Sequence, residues 1–209
     1  MLEIEKDRKT KTAVICPVIK TAAGMMTAEE EAARENEAAG LVLAMGQEVV
    51  FCETVRMSAI VPKSFFGKGT LERLRTACEE KGAELLVVDM PVSAVQQRNL
   101  EKMLNMKVID RTAVILEIFG QRAQTREGKL QVELAHLTYQ RGRLVRSWTH
   151  LERQRGGGGF LGGPGETQIE LDRRHLDERI VKIKKELEKV RQTRSIQRAA
   201  RVKVPYPVA

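Results

Sequence analysis

Aromatic residues make up 4% of this 209-residue chain, proline occurs six times and cysteine three times. So few aromatics disfavour an all-β sandwich and point to a core of Leu, Ile, Val and Ala. No apolar run approaches the roughly 18–20 residues that span a bilayer, so no transmembrane helix is expected. The N-terminus, Met1-Leu2-Glu3-Ile4-Glu5-Lys6-Asp7-Arg8-Lys9, is polar and of mixed charge, unlike a secretory signal. Cys16, Cys52 and Cys78 are odd in number and lack metal-ligand spacing. They read as small buried hydrophobes in a reducing cytoplasm.

The usual sites of chemistry are missing as well. His136, His150 and His175 stand apart from Cys or Asp partners, which excludes a recognisable zinc site. There is no G-x-S-x-G and no cysteine with a local catalytic signature. A Walker A loop needs G-x-x-x-x-G-K followed by Ser or Thr. Phe66-Gly67-Lys68-Gly69-Thr70 comes nearest, but Pro62 replaces the leading glycine and Gly69 the hydroxyl residue. That turn precedes a helix, where free amides accept anions, or it is an ordinary loop. No catalytic residue and no metal ligand is assigned.

Charge is present in abundance and is unevenly divided. Residues 1–120 hold 16 basic and 18 acidic residues, whereas residues 121–209 hold 20 and 10. A near-neutral half joined to a strongly basic half points to an anionic partner such as nucleic acid for the second. A merely solvated helix surface is the alternative.

Residues 1–11 read as a disordered tail. Residues 12–125 alternate strands and helices. Thr12–Ile19 is a strand that Pro17 is expected to end or bulge. Thr27-Ala28-Glu29-Glu30 is a capping box for a helix that stops at Gly46. Glu48–Val55 is a strand, Thr70–Lys81 a helix closed by Gly82, and Glu84–Asp89 a strand. Ser93-Ala94-Val95-Gln96 opens a further helix, Lys107–Ile109 is a short strand, and Asp110 caps the helix Arg111–Gln121. Such alternation predicts an α/β domain with a small, mostly parallel sheet flanked by helices.

Residues 126–203 follow another rule. Leu130, Leu137, Leu144 and Leu151 recur every seven residues, with Leu134 and Trp148 in the same stripe. Ile169, Leu176, Ile183 and Val190 do the same, with Ile180 and Leu187 between them. Two heptad helices predict a long antiparallel, coiled-coil-like hairpin. Thr167-Gln168-Ile169-Glu170 reads as the capping box of the second helix. The tip, residues 155–166, is rich in glycine, the residue that loses most entropy on ordering. A plain connector has no need of that cost. Either backbone approach closer than a side chain allows, or freedom until a partner orders the loop, explains it.

The RNA-binding candidates cluster there. They are Arg143, Arg146, Arg153, Gln154, Arg155, Gly156, Gly157, Gly158, Gly159, Phe160, Gly162, Gly163, Pro164, Gly165, Glu166, Thr167, Gln168, Arg173 and Arg174. Arg141 and Arg179 lie nearby. Arginine's planar fork suits phosphate and stacks on bases, and Phe160 offers a ring to an unpaired base.

The stretch RLVRSWTHLERQRGGGGFLGGPGETQIELDRR, with VIDRTAVILEIFGQRAQTREGKLQVELAHL before it, resembles the HflX family of ribosome-associated GTPases. Arg98-Asn99-Leu100-Glu101 matches that family's Q-x-R-N-L-E helix start. The resemblance is strong from about residue 89 to 201 and topological from 12 to 84. It implies an α/β domain, a hairpin and then a Ras-like G domain that carries GTP and Mg²⁺. It also implies binding to the large ribosomal subunit, splitting or rescue of stalled ribosomes under stress, and Arg153–Gln168 as the rRNA-contacting tip. Val204–Ala209 falls where the G domain's first strand should begin, so residues 204–209 read as the start of a truncated G domain. The chain itself is expected to hold no cofactor and to lack GTPase activity. Its partners would be large-subunit rRNA and the protein's own G domain. Two alternatives stay open: an α/β domain that binds ATP at its strand ends in RNA remodelling, and a hairpin that is only a spacer or dimerisation element.

Overall fold

The computed structural model describes residues 9–20, 26–154 and 164–202, with side chains described outside 144–169 and 200–202. The chain forms two units, Met1–Gln121 and Arg122–Ala209. The expected tail at 1–11 lies largely outside the described residues, and β1 starts within it, at Lys11.

The first unit runs β1 (Lys11–Ile19), α1 (Ala28–Ala44), β2 (Glu48–Met57), α2 (Lys68–Lys81), β3 (Leu85–Val88), α3 (Ala94–Leu104), β4 (Lys107–Asp110) and α4 (Arg111–Arg122). The four strands are all parallel, in the order β2-β1-β3-β4. Ala13, Ile15, Leu86, Val88 and Val108 pack under Leu71, Leu74 and Cys78 of α2 and Leu100 and Leu104 of α3. Val14, Cys16 and Val87 pack under Ala38 and Val42 of α1 and Val114 and Ile118 of α4. Helices therefore cover both faces. This explains why Thr12 to Val18 are all buried and why β1 reads as a continuous apolar run rather than an alternating one.

Pro17 neither ends nor bulges β1. The strand pairs with β2 through Ile19, and its one register shift falls between Thr12 and Ala13. The reason is parity. Lys11 and Ile15 turn their carbonyls towards β3, accepting from Glu84 and Asp89. Pro17 shares that side, and β3 has ended by then, its last partner being Ile15. The missing N–H therefore breaks no ladder bond.

The capping boxes at Thr27 and Ser93 form. Thr27 Oγ1 accepts from Glu30 N–H at 3.2 Å while Glu30 Oε2 accepts from Thr27 N–H at 2.8 Å. Ser93 and Gln96 repeat the arrangement. α2 closes on Gly82 in the left-handed region, φ +64°. It opens two residues before Thr70, at Lys68, with Gly67 as a cap that makes no side-chain hydrogen bond. The preceding loop is pinned by the fully buried Phe65 and Phe66, whose rings meet edge to face at 4.9 Å.

The second unit holds two long helices, α5 (Arg126–Gln154) and α6 (Pro164–Val202). Leu130, Ile183 and Leu187 form its core, with Leu134, Leu137 and Val190 packed against them. Ile180 is 4% exposed. The described part of the heptad stripe is thus a seam, as its spacing predicts. Leu144, Trp148, Leu151 and Ile169 lie among the side chains outside the description. One expectation is corrected. α6 begins at Pro164, so Thr167 stands inside the helix rather than at its cap. Proline at a first helical position needs no N–H and already has helical φ.

Candidate nucleic-acid interface

The ion pairs across the hairpin run in antiparallel order. Arg179 contacts Glu133 at 2.6 Å and Arg141 contacts Asp177 at 3.1 Å. Nearer the hairpin's base, Arg126 lies 4.0 Å from Glu186, and Arg194 pairs with Glu127. Among the described residues, four bridges thus bind α5 to α6 beside the apolar seam. Two arginines that the sequence places near the RNA site, Arg141 and Arg179, are engaged in holding the hairpin together.

Arg143 folds back over Tyr139, with its guanidinium 4.9 Å from the ring centroid and a hydrogen bond to the phenol oxygen. Arg173 reaches Asp177 at 3.9 Å. Arg174 is exposed and forms no ion pair among the described residues. Leu137 and Leu176 floor an open groove of about 560 Å³ between the helices, rimmed by Arg143, Asp172, His175 and Arg179. Structure thus brings Arg143 and Asp172 to one groove and turns Arg173 and Arg174 towards solvent. Arg146, Arg153 and Gln154 lie on α5, and Pro164, Gly165, Glu166, Thr167 and Gln168 lie on the first turns of α6, all with side chains outside the description. Arg155, Gly156, Gly157, Gly158, Gly159, Phe160, Gly162 and Gly163 lie outside the described residues.

Sequence reasoning passed over the other half of α6. Lys182, Lys184, Lys185, Lys189, Arg191 and Arg198 are all exposed and form no ion pair among the described residues. The signal was available, because no acid follows Glu188.

The carboxyl ends of the first unit's strands are the place where a nucleotide would bind. The strand order reverses between β1 and β3, where α/β sheets commonly bind ligands. Asp89 follows β3 there and is 2% exposed. Arg34 holds its carboxylate at 2.9 Å and its carbonyl at 3.0 Å, and Arg111 holds the carboxylate at 2.7 Å while pairing with Glu37. These groups line an open cavity of about 720 Å³ with Met26 and Glu30. Its chemistry opposes a phosphate. The entering helix α1 caps itself with Thr27 and carries Glu29, Glu30 and Glu31 in its first turn. Both arginines are already committed to acids. Among the described residues, no three His, Cys, Asp or Glu side chains are arranged to hold a metal ion.

The R-N-L-E motif is structural in this fold. Leu100 is core, Asn99 donates to the Lys63 carbonyl at 2.7 Å, and Glu101 accepts from Val108 N–H.

Two family profiles divide the chain much as its units do. A profile described as "GTP-binding GTPase N-terminal" matches residues 32–120, and one described as "GTP-binding GTPase Middle Region" matches residues 122–201. The chain belongs to the HflX family of GTPases. It is 54% identical to GTPase HflX of Magnetococcus marinus over 170 residues, covering 81% of this chain and 39% of that protein. With GTPase HflX of Escherichia coli it shares 48% over 172 residues, covering 82% and 40%. With that of Flavobacterium psychrophilum it shares 38% over 203 residues, covering 96% and 48%. The chain therefore spans less than half the length of these HflX relatives. A crystal structure of SsGBP with GDP aligns with a TM-score of 0.63 over 89% of this chain and 46% of that one. At 21% identity this likeness establishes a shared fold. Among the described residues no helix is long and apolar enough to cross a membrane.

Proposed function

We propose that this HflX region is a ribosome-docking element whose hairpin binds large-subunit rRNA. The protein's own G domain, with GTP and Mg²⁺, would link docking to nucleotide state during splitting or rescue of stalled ribosomes in the cytoplasm. The observation that carries this reading is the surplus of exposed cations on α6, in a hairpin whose sequence holds seven glycines in the ten residues 156–165. Phosphate neutralisation suits such cations, and a backbone free of side chains suits close approach to RNA. Arg153 and Arg155 flank the glycines as the expected phosphate contacts.

Binding of the chain to purified large ribosomal subunits across a salt series tests this, beside a variant with residues 156–165 replaced by a short turn. Affinity that falls steeply with salt and is lost in the variant supports the tip as the RNA-reading element. Equal binding by both chains overturns it. A salt-insensitive dimer without RNA affinity would make the hairpin a dimerisation element instead.

A further inference from the structure

We infer that the half of α6 remote from the glycine segment is a second RNA contact, one that grips the phosphate backbone without reading sequence. The inference rests on the reading above that the hairpin meets RNA, and it adds a different surface. Lys182, Lys185 and Lys189 recur at three and four residues, so they share one side of α6. That side points away from the seam of Ile180, Ile183 and Leu187. Seven residues at 1.5 Å each give the row a length of about 10 Å. Lys184, Arg191 and Arg198, each seven apart, form another row on a different side of the helix. From residue 182 to 203 there are nine basic residues and two acids, Glu186 and Glu188. Glu186 faces Arg126 of α5, and Glu188 accepts from Gln192.

Folding gives the row little support: Glu178, Glu186 and Glu188 stand three or four residues from its lysines, yet Lys182, Lys185 and Lys189 form no ion pair among the described residues. Like charges at three- and four-residue spacing destabilise a helix. Attraction of cations to a helix C-terminus fades within the last turn, so it does not explain Lys182 to Lys189. The nearer half of the solvent face shows the contrast, since there Arg173 and Arg174 are interspersed with Asp177 and Glu178. A protein partner would be expected to meet aromatic or large apolar anchors. The lysine row has only Val181 and, further on, Ile196 nearby, 51% and 70% exposed. A membrane surface needs an apolar helix face, and the apolar face of α6 is occupied by α5. A phosphate backbone needs only the cations.

The test is a triple variant, Lys182→Gln, Lys185→Gln and Lys189→Gln, in the full chain. Binding is measured against large ribosomal subunits, a mixed-sequence RNA duplex and phosphatidylserine vesicles, with the 156–165 replacement in parallel. All three side chains are exposed, so helicity and melting should match the parent. The expected result is a salt slope shallower by roughly two to three and an affinity for duplex RNA at least about tenfold lower. Parental affinity and slope for RNA in the triple variant would overturn the inference. If the replacement then still abolished subunit binding, the docking role would stand without this second contact. Loss in the triple variant with none in the replacement would support the α6 contact and remove the tip. Loss of vesicle binding with no change towards RNA would assign the row to a membrane surface and overturn it. A parent chain that binds no RNA would overturn both readings.

Discussion

Glu101 of α3 accepts a hydrogen bond at 3.3 Å from the backbone N–H of Val108, on the open edge of β4. Gln97, one turn earlier and bonded to Glu101 at 3.0 Å, donates to the Val108 carbonyl at 2.6 Å. Two side chains of one helix thus stand in for a neighbouring strand. This closes an edge that would otherwise invite pairing with another chain.

Glu101→Ala should leave a fully buried N–H without its partner and cost about 1–3 kcal/mol. The urea midpoint would report it. Gln97→Ala should behave similarly, and the double variant should fall short of the sum because the two residues share a bond. An unchanged midpoint in Glu101→Ala would mean that water replaces the carboxylate at this edge.

Asp89 gathers Arg34 of α1 and Arg111 of α4 onto the end of β3. Removing a buried acid leaves its cations unsatisfied, at about 3–5 kcal/mol for a fully buried pair. Both arginines are about a third exposed, so Asp89→Ala should cost less, roughly 2–3 kcal/mol after solvent screening. If denaturation gave a loss below about 0.5 kcal/mol, the cluster would be ornamental to stability.

Much of this was legible in advance, for identifiable reasons. Capping boxes at Thr27 and Ser93 and the glycine at 82 are local chemistry, and each fell where the residues placed it. Seven-residue spacing announced the seam because it fixes which face is buried. Pro17 misled, because its tolerance depends on β3 ending early, which no local signal reports. Thr167 misled because Pro164 offered an equally good start three residues sooner. The partners of Arg141 and Arg179 were illegible for a further reason. They lie on the opposite helix, and the register between two helices is set by packing rather than by neighbouring residues.

Glu31 and Arg56 give the fold a pH-dependent contact. Arg56 donates to both carboxylate oxygens of Glu31, at 2.9 and 2.6 Å, and this hydrogen-bonded pairing holds the carboxyl below its ordinary value. A depressed folded pKa favours folding above the unfolded value of about 4.3 and loses that contribution as pH falls through the folded value. Stability should therefore decline from about pH 5 downwards, and Glu31→Gln should flatten that part of the profile. Thermal melts between pH 3 and 7 compare the two. Parallel profiles would remove Glu31 as a contributor.

The three thiols should differ in reactivity. The neighbouring Cys52 thiol, and then burial, push the Cys16 thiol up. Burial pushes Cys78 up to about 11. Cys52 is half-buried and is lowered by its neighbour Cys16. Because the thiolate is the nucleophile, native-state alkylation near pH 8 should label Cys52 first, and Cys16 and Cys78 only on unfolding. Peptide mapping that found Cys16 labelled first would reverse this assignment.

Arg141 and Arg174 separate the two duties of arginine in the hairpin. Arg141 spans the helices to Asp177, and both side chains are more than two-fifths exposed. Pairs of this kind contribute about 0.2–1 kcal/mol. Arg141→Gln should therefore lower the hairpin's melting temperature slightly while leaving the salt slope of RNA binding unchanged. Arg174 forms no ion pair among the described residues, so Arg174→Gln should leave the melt unchanged and make the slope shallower by about one. Each variant is measured by both readouts, because either alone confuses a loosened hairpin with a lost phosphate contact. A shallower slope in Arg141→Gln with an unaltered melt would mean that this arginine leaves Asp177 for the RNA when the partner arrives.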